Sequence, residues 1–529
     1  MKRKDFLRYM GAGALTFPGL LNGFNVKARS TSSMNPLLKP FFTDTDHVLV
    51  IIQMGGGNDG LNTVIPLDQF NKYANARETI YIPEGQVLPL NGVDNIGFHP
   101  SMNGLRTLFN DNKLTVIQSV GYPNPNYSHF RATDIWMTGA DSDQILNTGW
   151  MGRYLKYEYP NYPAEFPNEQ MPDPLALEIG YSQSLVFQGP LAGMGMAIAR
   201  PEDFYALVTG EETPVPPTPA GDQLAYVRLI AKQSNVYGER IKEAYDSVTS
   251  QQNYPDTWLA AQLKIVARLI AGGLKTRVYM VNATGGYDTH DSQVDYNDHT
   301  IGQHAELLEE LSGGIKAFMN DINYLGVQDR VLGMTFSEFG RRIISNGSVG
   351  TDHGAAAPMF VFGSSLNGGV IGDTPFIPNN PNEDDNIPMQ YDFRSVYATM
   401  LKDWLCVPES DLDETMLQDF PILPFVNSPG CVSTDTHELN QQAGKKLISN
   451  YPNPFTETTN ITFESGGGRV IIQVFNGAGQ LVATPYADMC PIGTHTVAWQ
   501  AGDLPSGLYY CRIQNGGIQQ VGQMLKVRD

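Results

Sequence analysis

Three short clusters carry residue types that can do chemistry: Tyr287-Asp288-Thr289-His290, Phe336-Ser337-Glu338-Phe339-Gly340 and Thr351-Asp352-His353-Gly354. Each follows, or closely follows, a short apolar run that reads as a buried strand. Carboxylates and imidazoles released at strand ends form the donor sets that divalent cations take: oxygen for hard ions, and nitrogen as well for zinc. The chain has nine histidines, and two of them sit in these clusters, so metal-assisted hydrolysis is the chemistry to weigh first.

The elements that must position the clusters can be read from the hydrophobic pattern. Residues 47–54, 114–120, 175–179, 277–282, 330–336 and 359–362 are apolar runs of strand length. Residues 222–248, 257–271 and 301–325 are long helical patterns between them, and Ser128 opens a further helix to 136. Strands alternating with helices predict an α/β domain with a mainly parallel sheet flanked by helices. From about residue 427 the composition turns polar, and from 447 short β runs punctuated by Gly, Asn and Pro predict a small all-β sandwich. The expected division is therefore an export signal over 1–28, an α/β domain over 40–426, a linker over 427–446 and a sandwich over 447–529.

Composition bounds the function. The net charge of −20 argues against nucleic acid and against anionic membranes, both of which need a basic face. No apolar run is long enough for a transmembrane helix. Lys2, Arg3, Lys4 and Arg8 precede a weakly apolar stretch, and Val26-Lys27-Ala28 offers small residues to a signal peptidase, so the chain is expected to be exported. The run Arg3-Lys4-Asp5-Phe6-Leu7 resembles a twin-arginine signal with lysine for its second arginine. The general secretory route stays open. Four cysteines divide two and two, and pairing within each region, Cys406–Cys431 and Cys490–Cys511, is the simplest connectivity; free buried thiols are the alternative.

The tail carries ordered motifs: Asn450-Tyr451-Pro452-Asn453-Pro454-Phe455, Val474-Phe475-Asn476, Gly479-Gln480-Leu481-Val482 and Leu504-Pro505-Ser506-Gly507-Leu508-Tyr509-Tyr510. It resembles the type A C-terminal sorting domain of the type nine secretion system of Bacteroidetes. That resemblance implies the type nine machinery as a partner and delivery through the periplasm to the cell surface or beyond.

The large domain carries Gly55-Gly56-Gly57-Asn58-Asp59-Gly60-Leu61-Asn62-Thr63, then residues 121–131 (GYPNPNYSHFR), residues 285–290, Ser337-Glu338-Phe339-Gly340-Arg341 and Asp352-His353-Gly354. Together these resemble the exported family called domain of unknown function 1501, from near residue 1 to about 405. That family is similar in turn to the alkaline phosphatase and sulfatase superfamily. The resemblance implies an alkaline-phosphatase-like fold and a fixed order of site residues: an acidic ligand after the first strand (Asp59), a hydroxyl nucleophile opening a helix (Ser128), then Asp288 and His290, an acidic position (Glu338), and a last histidine (His353). Phe339 stands where that order has a histidine, and a phenyl ring binds no metal. Asp352 or His353 then compensates, or one metal position is lost.

The resulting expectation is an exported hydrolase of anionic phosphate or sulfate esters. Its metal candidates are Asp59, Asp288, His290, Glu338, Asp352 and His353. The ion is zinc, manganese, magnesium or calcium, and the catalytic candidates are Ser128, His129 and Arg131. The alternative is a non-catalytic surface or assembly protein with an incomplete metal site. Each candidate has a plainer reading. Ser128 is an N-cap, His129 a structural histidine, Asp59 a turn residue, Glu338 the partner of Arg341 or Arg342, and Asp352 with His353 a bonded loop pair. His99, His299, His304 and His437 have no partner at ligand spacing. Asp291, Asp295 and Asp298 read as a solvated face without the glycine of a calcium loop.

Overall fold

The computed structural model describes residues 45–201, 218–427 and 448–527, without 284, 466–467, 477–480, 492, 503 and 516–517; it also describes Cys431 and two short strands, Gly19–Leu21 and Phe24–Val26. Apart from those strands, the expected export signal lies outside the described residues. So does the expected linker apart from Asn427 and Cys431.

The chain divides into two compact units, residues 1–31 with 41–432 and residues 32–40 with 433–529. The first is built on a nine-stranded sheet. Its strands are β1 Val48–Met54, β2 Leu114–Gly121, β3 Ala176–Ile179, β4 Met196–Ile198, β5 Val278–Ala283, β6 Val331–Phe336, β7 Ala357–Gly363, β8 Gly369–Ile371 and β9 Tyr391–Asp392. The order is β8-β2-β7-β6-β1-β5-β3-β4, with β9 also on β2. β7 runs antiparallel to both its neighbours, and the other pairings are parallel. The mainly parallel α/β sheet read from the sequence is present.

Both faces of the sheet are covered, which is why its strands read as continuous apolar runs. Alternate residues of β1 feed two separate cores: Val48, Val50, Ile52 and Met54 on one face, Leu49 and Ile51 on the other. The first core is closed by helices α1 Asn103–Asn110, α4 Pro219–Ser247, α5 Trp258–Ala271 and α6 Gln303–Tyr324. The second is closed by α2 His129–Thr138, α3 Trp150–Glu158 and α7 Phe393–Thr399. Apolar residues at helical spacing on α5, such as Leu259, Leu263, Val266 and Ile270, turn one stripe inward. Thr257 starts that helix by accepting the Ala260 N–H.

Register then sets where function can sit. Ala283 of β5 lies beside Met54 of β1, and Phe336 of β6 beside Gln53. The chain therefore leaves these three central strands at one level. β7 enters the sheet antiparallel, with Ala357 opposite Val120 of β2. Residues just before β7 thus share the carboxyl edge of the others. All the candidate loops converge on this edge, where open α/β sheets place their ligands.

The second unit holds a three-stranded and a four-stranded antiparallel sheet. Phe455, Ile461, Phe463, Ile472, Trp499 and Ile513 pack in its core. Cys406 and Cys431 form the expected disulfide. Cys490 and Cys511 do not pair: they are free, buried thiols on strands Leu481–Cys490 and Gly507–Asn515, which are not neighbours in the sheet.

Candidate metal centre

Asp288 is the hub. Its Oδ1 lies 3.0 Å from His353 Nε2, 3.1 Å from His290 Nε2 and 2.7 Å from Arg341 Nη2. Its Oδ2 lies 3.4 Å from His129 Nε2. The two rings His290 and His353 meet each other Nε2 to Nε2 at 2.9 Å. One ligand atom from each of His129, Asp288 and His353 lies within 4.8 Å of the others.

The far side of each ring decides what faces inward. His353 Nδ1–H donates to the Tyr127 carbonyl at 2.9 Å, an oxygen that can only accept. His290 Nδ1–H donates to Asp352 at 3.0 Å, and His129 Nδ1–H donates to Glu338 at 2.8 Å. A ring with its proton on Nδ1 presents an Nε2 lone pair toward Asp288, and a ring with a proton on Nε2 donates to Asp288 instead. Three ring nitrogens thus gather around one carboxylate, an arrangement that a divalent ion or protons on Nε2 can satisfy. The oxygen acceptor behind each ring is the arrangement that orients histidine ligands of a metal. By donor chemistry the residues fit a divalent ion.

The loops are held by close backbone approach. Arg341 is fully buried and donates to the carbonyls of Gly57 at 2.7 Å, Thr351 at 2.7 Å and Tyr287 at 2.9 Å, and also to Gly56 O. It thereby ties the β1, β5 and β7 loops together. Gly56 N–H donates to Glu338 Oε1 at 2.9 Å, fixing the carboxylate that fixes His129. The rings of His129 and His353 lie on Phe339 at 4.9 and 4.4 Å between centroids. Phe339 is no ligand. It is the apolar floor that stops the His129 and His353 rings from turning.

The structure sorts the sequence candidates into three groups. It brings together Asp288, His290 and His353, and adds His129, expected as a catalytic or structural residue, to the donor face. Glu338 and Asp352 stand one step behind, each holding a ring. Asp59 and Arg131 are engaged elsewhere. Asp59 is fully buried and pairs with Arg77 at 2.6 Å, with Gln293 Nε2 donating to the same oxygen at 2.6 Å. Arg131 points its guanidinium at the carbonyls of Asp141, Ser142 and Gln144, which removes it from anion binding at the cluster. Ser128 is exposed and occupies the N-cap of α2 in an extended conformation, and its side chain makes no capping bond. Among residues the sequence reading missed, Arg77 and Arg341 matter most. Arg341 was read as a partner for Glu338, and no spacing marked Arg77, 18 residues past Asp59.

Residues 234–419 match the family described as protein of unknown function (DUF1501). Residues 449–527 match the family described as secretion system C-terminal sorting domain. Both resemblances read from the motifs are thus found, the first over a shorter stretch than expected. It includes Asp288, His290, Glu338, Asp352 and His353 but begins after Asp59 and residues 128–131. No curated protein matches the chain. Similar solved structures include a protein in the alkaline phosphatase superfamily from Vibrio parahaemolyticus, at 9% identity and TM-score 0.30, covering 100% of this chain and 91% of that one. The PsFucS1 sulfatase from Pseudoalteromonas sp. is similar at 10% identity and TM-score 0.30, covering 86% and 83%. PorZ, a surface component of the type-IX secretion system of Porphyromonas gingivalis, is similar at 16% identity and TM-score 0.13; the match covers 20% of this chain and spans 14% of PorZ. Likenesses at these TM-scores fall well short of a shared chemistry.

Electrostatics agree with the geometry. Burial pushes the Asp288 carboxyl up, but hydrogen bonds from Arg341 and His353 and the charge of Arg341 outweigh it and leave it at about 2. Burial lowers the His353 imidazole from its ordinary value. Asp352 is lowered because its bonds to His290 and Asn346 outweigh burial. A second histidine-containing group, His47 with Cys406 and Cys431, is no metal site, because its two sulfurs are joined to each other.

Proposed function

We propose that the chain is an exported, divalent-metal-dependent hydrolase of phosphate or sulfate esters, working at the cell surface or outside the cell. One observation carries this reading: His129, Asp288 and His353 each bring a ligand atom within 4.8 Å of the others at the carboxyl edge of the sheet, with His290 Nε2 beside Asp288 and His353. Bound there, a divalent ion supplies a Lewis acid for an ester oxygen. His129 and His353 would hold it with Asp288, His290 standing beside them, while Glu338, Asp352 and the Tyr127 carbonyl orient the rings. Ser128 is the nucleophile in this reading. It sits beside His129 at the N-terminus of α2, where free backbone N–H groups and the positive dipole end favour an anionic ester and an ionised hydroxyl. The tail over 447–529 hands the protein to the type nine secretion machinery, and residues 1–28 take it across the inner membrane.

A second reading, a non-catalytic surface or assembly protein, draws on Phe339, which fills a place where a further ligand is expected from the family resemblance. Turnover of aryl phosphates and aryl sulfates by the purified chain decides between them, with zinc, manganese, magnesium and calcium each supplied in turn. Hydrolysis abolished by a chelator and restored by one ion supports the enzyme. No turnover with any of the four refutes it and leaves the second reading.

A further inference from the structure

We propose that the chain holds one ion of the zinc class, not a pair, on His129, Asp288 and His353 with His290 beside them, and that Arg77 takes the place of a second cation at Asp59. The inference rests on the metal-binding half of the reading above and not on turnover.

Charge decides the number. The carboxylates in direct contact at the cluster are Asp288, Glu338 and Asp352, against the guanidinium of Arg341. Three carboxylates against one guanidinium leave two negative charges, the complement of a single divalent ion. The acidic residue after the first strand is paired through one oxygen, while its buried Oδ1 has no hydrogen-bond partner. Arg77 Nη1 lies 2.6 Å from Asp59 Oδ2, and both side chains are wholly buried. Arg77 is fixed there by the Ile343 carbonyl at 2.9 Å, the Arg342 carbonyl at 2.7 Å and Asn62 Oδ1 at 3.1 Å. A guanidinium held on so many sides cannot be displaced by an ion without leaving its own charge buried and unpaired, which is costly. Asp59 is therefore neutralised from within the chain.

Donor type decides the class. Imidazoles with one carboxylate suit zinc or its substitute cobalt. Calcium and magnesium ask for a shell of oxygens. Ring packing on Phe339 and the three Nδ1 partners fix the donors before the ion arrives, so affinity depends on residues that never touch it. Glu338 is a positioning residue of this kind.

The test uses the full chain, stripped by chelator and dialysed against zinc, cobalt, manganese, magnesium or calcium. Bound ion is counted by elemental analysis, and the visible spectrum of the cobalt form reports coordination. One zinc per chain is expected, with an intense four-coordinate cobalt spectrum and no retained magnesium or calcium. Asp59→Asn should leave the count at one. Glu338→Ala should weaken zinc binding about 10–100-fold, and Glu338→Gln, whose amide oxygen still accepts from His129, should restore most of it. His129→Ala and His290→Ala should weaken it further, with circular dichroism confirming that each variant is folded. Two ions per chain, falling to one in Asp59→Asn, would overturn the inference. So would a preference for calcium or magnesium. Retention of no ion would also overturn it, a proton shared between His290 and His353 then doing the cation's work. One zinc bound without ester turnover would leave this inference standing and remove the proposed hydrolase.

Discussion

Gly56→Ala should damage the metal centre although residue 56 contributes no ligand. Gly56 has φ +123°, a region that side-chain-bearing residues avoid, and an added Cβ would meet Asp288 N at 2.4 Å, Tyr287 C at 2.8 Å and Tyr287 N at 3.0 Å. All three are backbone atoms, so no rotamer change relieves them. Restoring ordinary contact requires the β5 loop to retreat by about 1 Å. Asp288 reaches His353 at 3.0 Å and Arg341 at 2.7 Å, and such a retreat breaks both bonds. Overpacking costs about 1–3 kcal/mol, and the unfavourable φ adds about 1–2 kcal/mol. The expected loss is thus about 2–5 kcal/mol in urea unfolding of the large unit, together with a fall in zinc affinity. Gly55→Ala is the control, because nothing lies within 4 Å of its added Cβ and its φ is not in that region. It should be nearly silent in both assays. Equal stability and zinc affinity in the two variants would refute the claim that the glycine run exists to let the β1 and β5 loops touch.

Three further outcomes are expected. Ser128→Ala should abolish any ester turnover while changing stability by less than the ~1 kcal/mol of an ordinary N-cap loss, because the serine side chain makes no capping bond; retained turnover would remove Ser128 as nucleophile. Burial holds His99 at about 3 and His304 at about 4 against 6.5 when unfolded, so the unfolded chain binds more protons as pH falls through that window. Their contribution to stability should be complete above about pH 6.5 and be lost progressively toward pH 4, and urea midpoints measured from pH 7 to 4 should show this slope, reduced in His304→Gln; a flat profile would count against it. Deleting residues 447–529 should leave the large unit folded, by its unfolding transition, but absent from the cell surface by protease shaving of whole cells, and normal surface delivery would contradict the sorting role.

Much of the architecture was legible because buried parallel strands leave continuous apolar runs. The run read over 47–54 is β1 Val48–Met54, and that over 330–336 is β6 Val331–Phe336. What escaped is short or edge-placed: β4, β8 and β9 have two or three residues each and no periodicity to read. The helix Trp150–Glu158 escaped as well, being buried along almost its whole length with Arg153 and Glu158 among its buried residues, so that it shows no clean polar face. At the site, residue types near strand ends identified Asp288, His290 and His353, because register alone brings those strand ends level. Which atom each ring presents depends on Tyr127 O, Asp352 and Glu338, contacts set by tertiary structure that no spacing encodes. Asp59 shows the same limit from the other side. Its place after the first strand is the one expected of a ligand from the family resemblance, yet Arg77, at the end of the helix Phe70–Ala76, pairs with it.

Phe339 ties these points together. Read in sequence, it is a lost ligand, and the loss weakens the case for chemistry. In the fold its ring lies against Gly57, where any Cβ would come within 2.3 Å of it, so the glycine run admits the phenyl ring to the floor of the site. On that floor it packs His129 and His353, the first of which the sequence order did not place among the ligands. The exchange is therefore two-sided: a histidine is missing after Glu338, and an imidazole arrives from the start of α2, held by Glu338 itself. An aromatic floor also lowers the local dielectric beneath the cluster, which strengthens the pull of Asp288 and the ring nitrogens on a cation. A site that had merely decayed would have no reason to keep three Nδ1 acceptors aligned behind three inward-facing nitrogens. Phe339→His should then not repair the centre. It should bring a polar ring into a buried apolar contact, loosen His129 and His353, and lower zinc affinity; tighter binding or a second bound ion in that variant would show that the phenylalanine is a deletion after all.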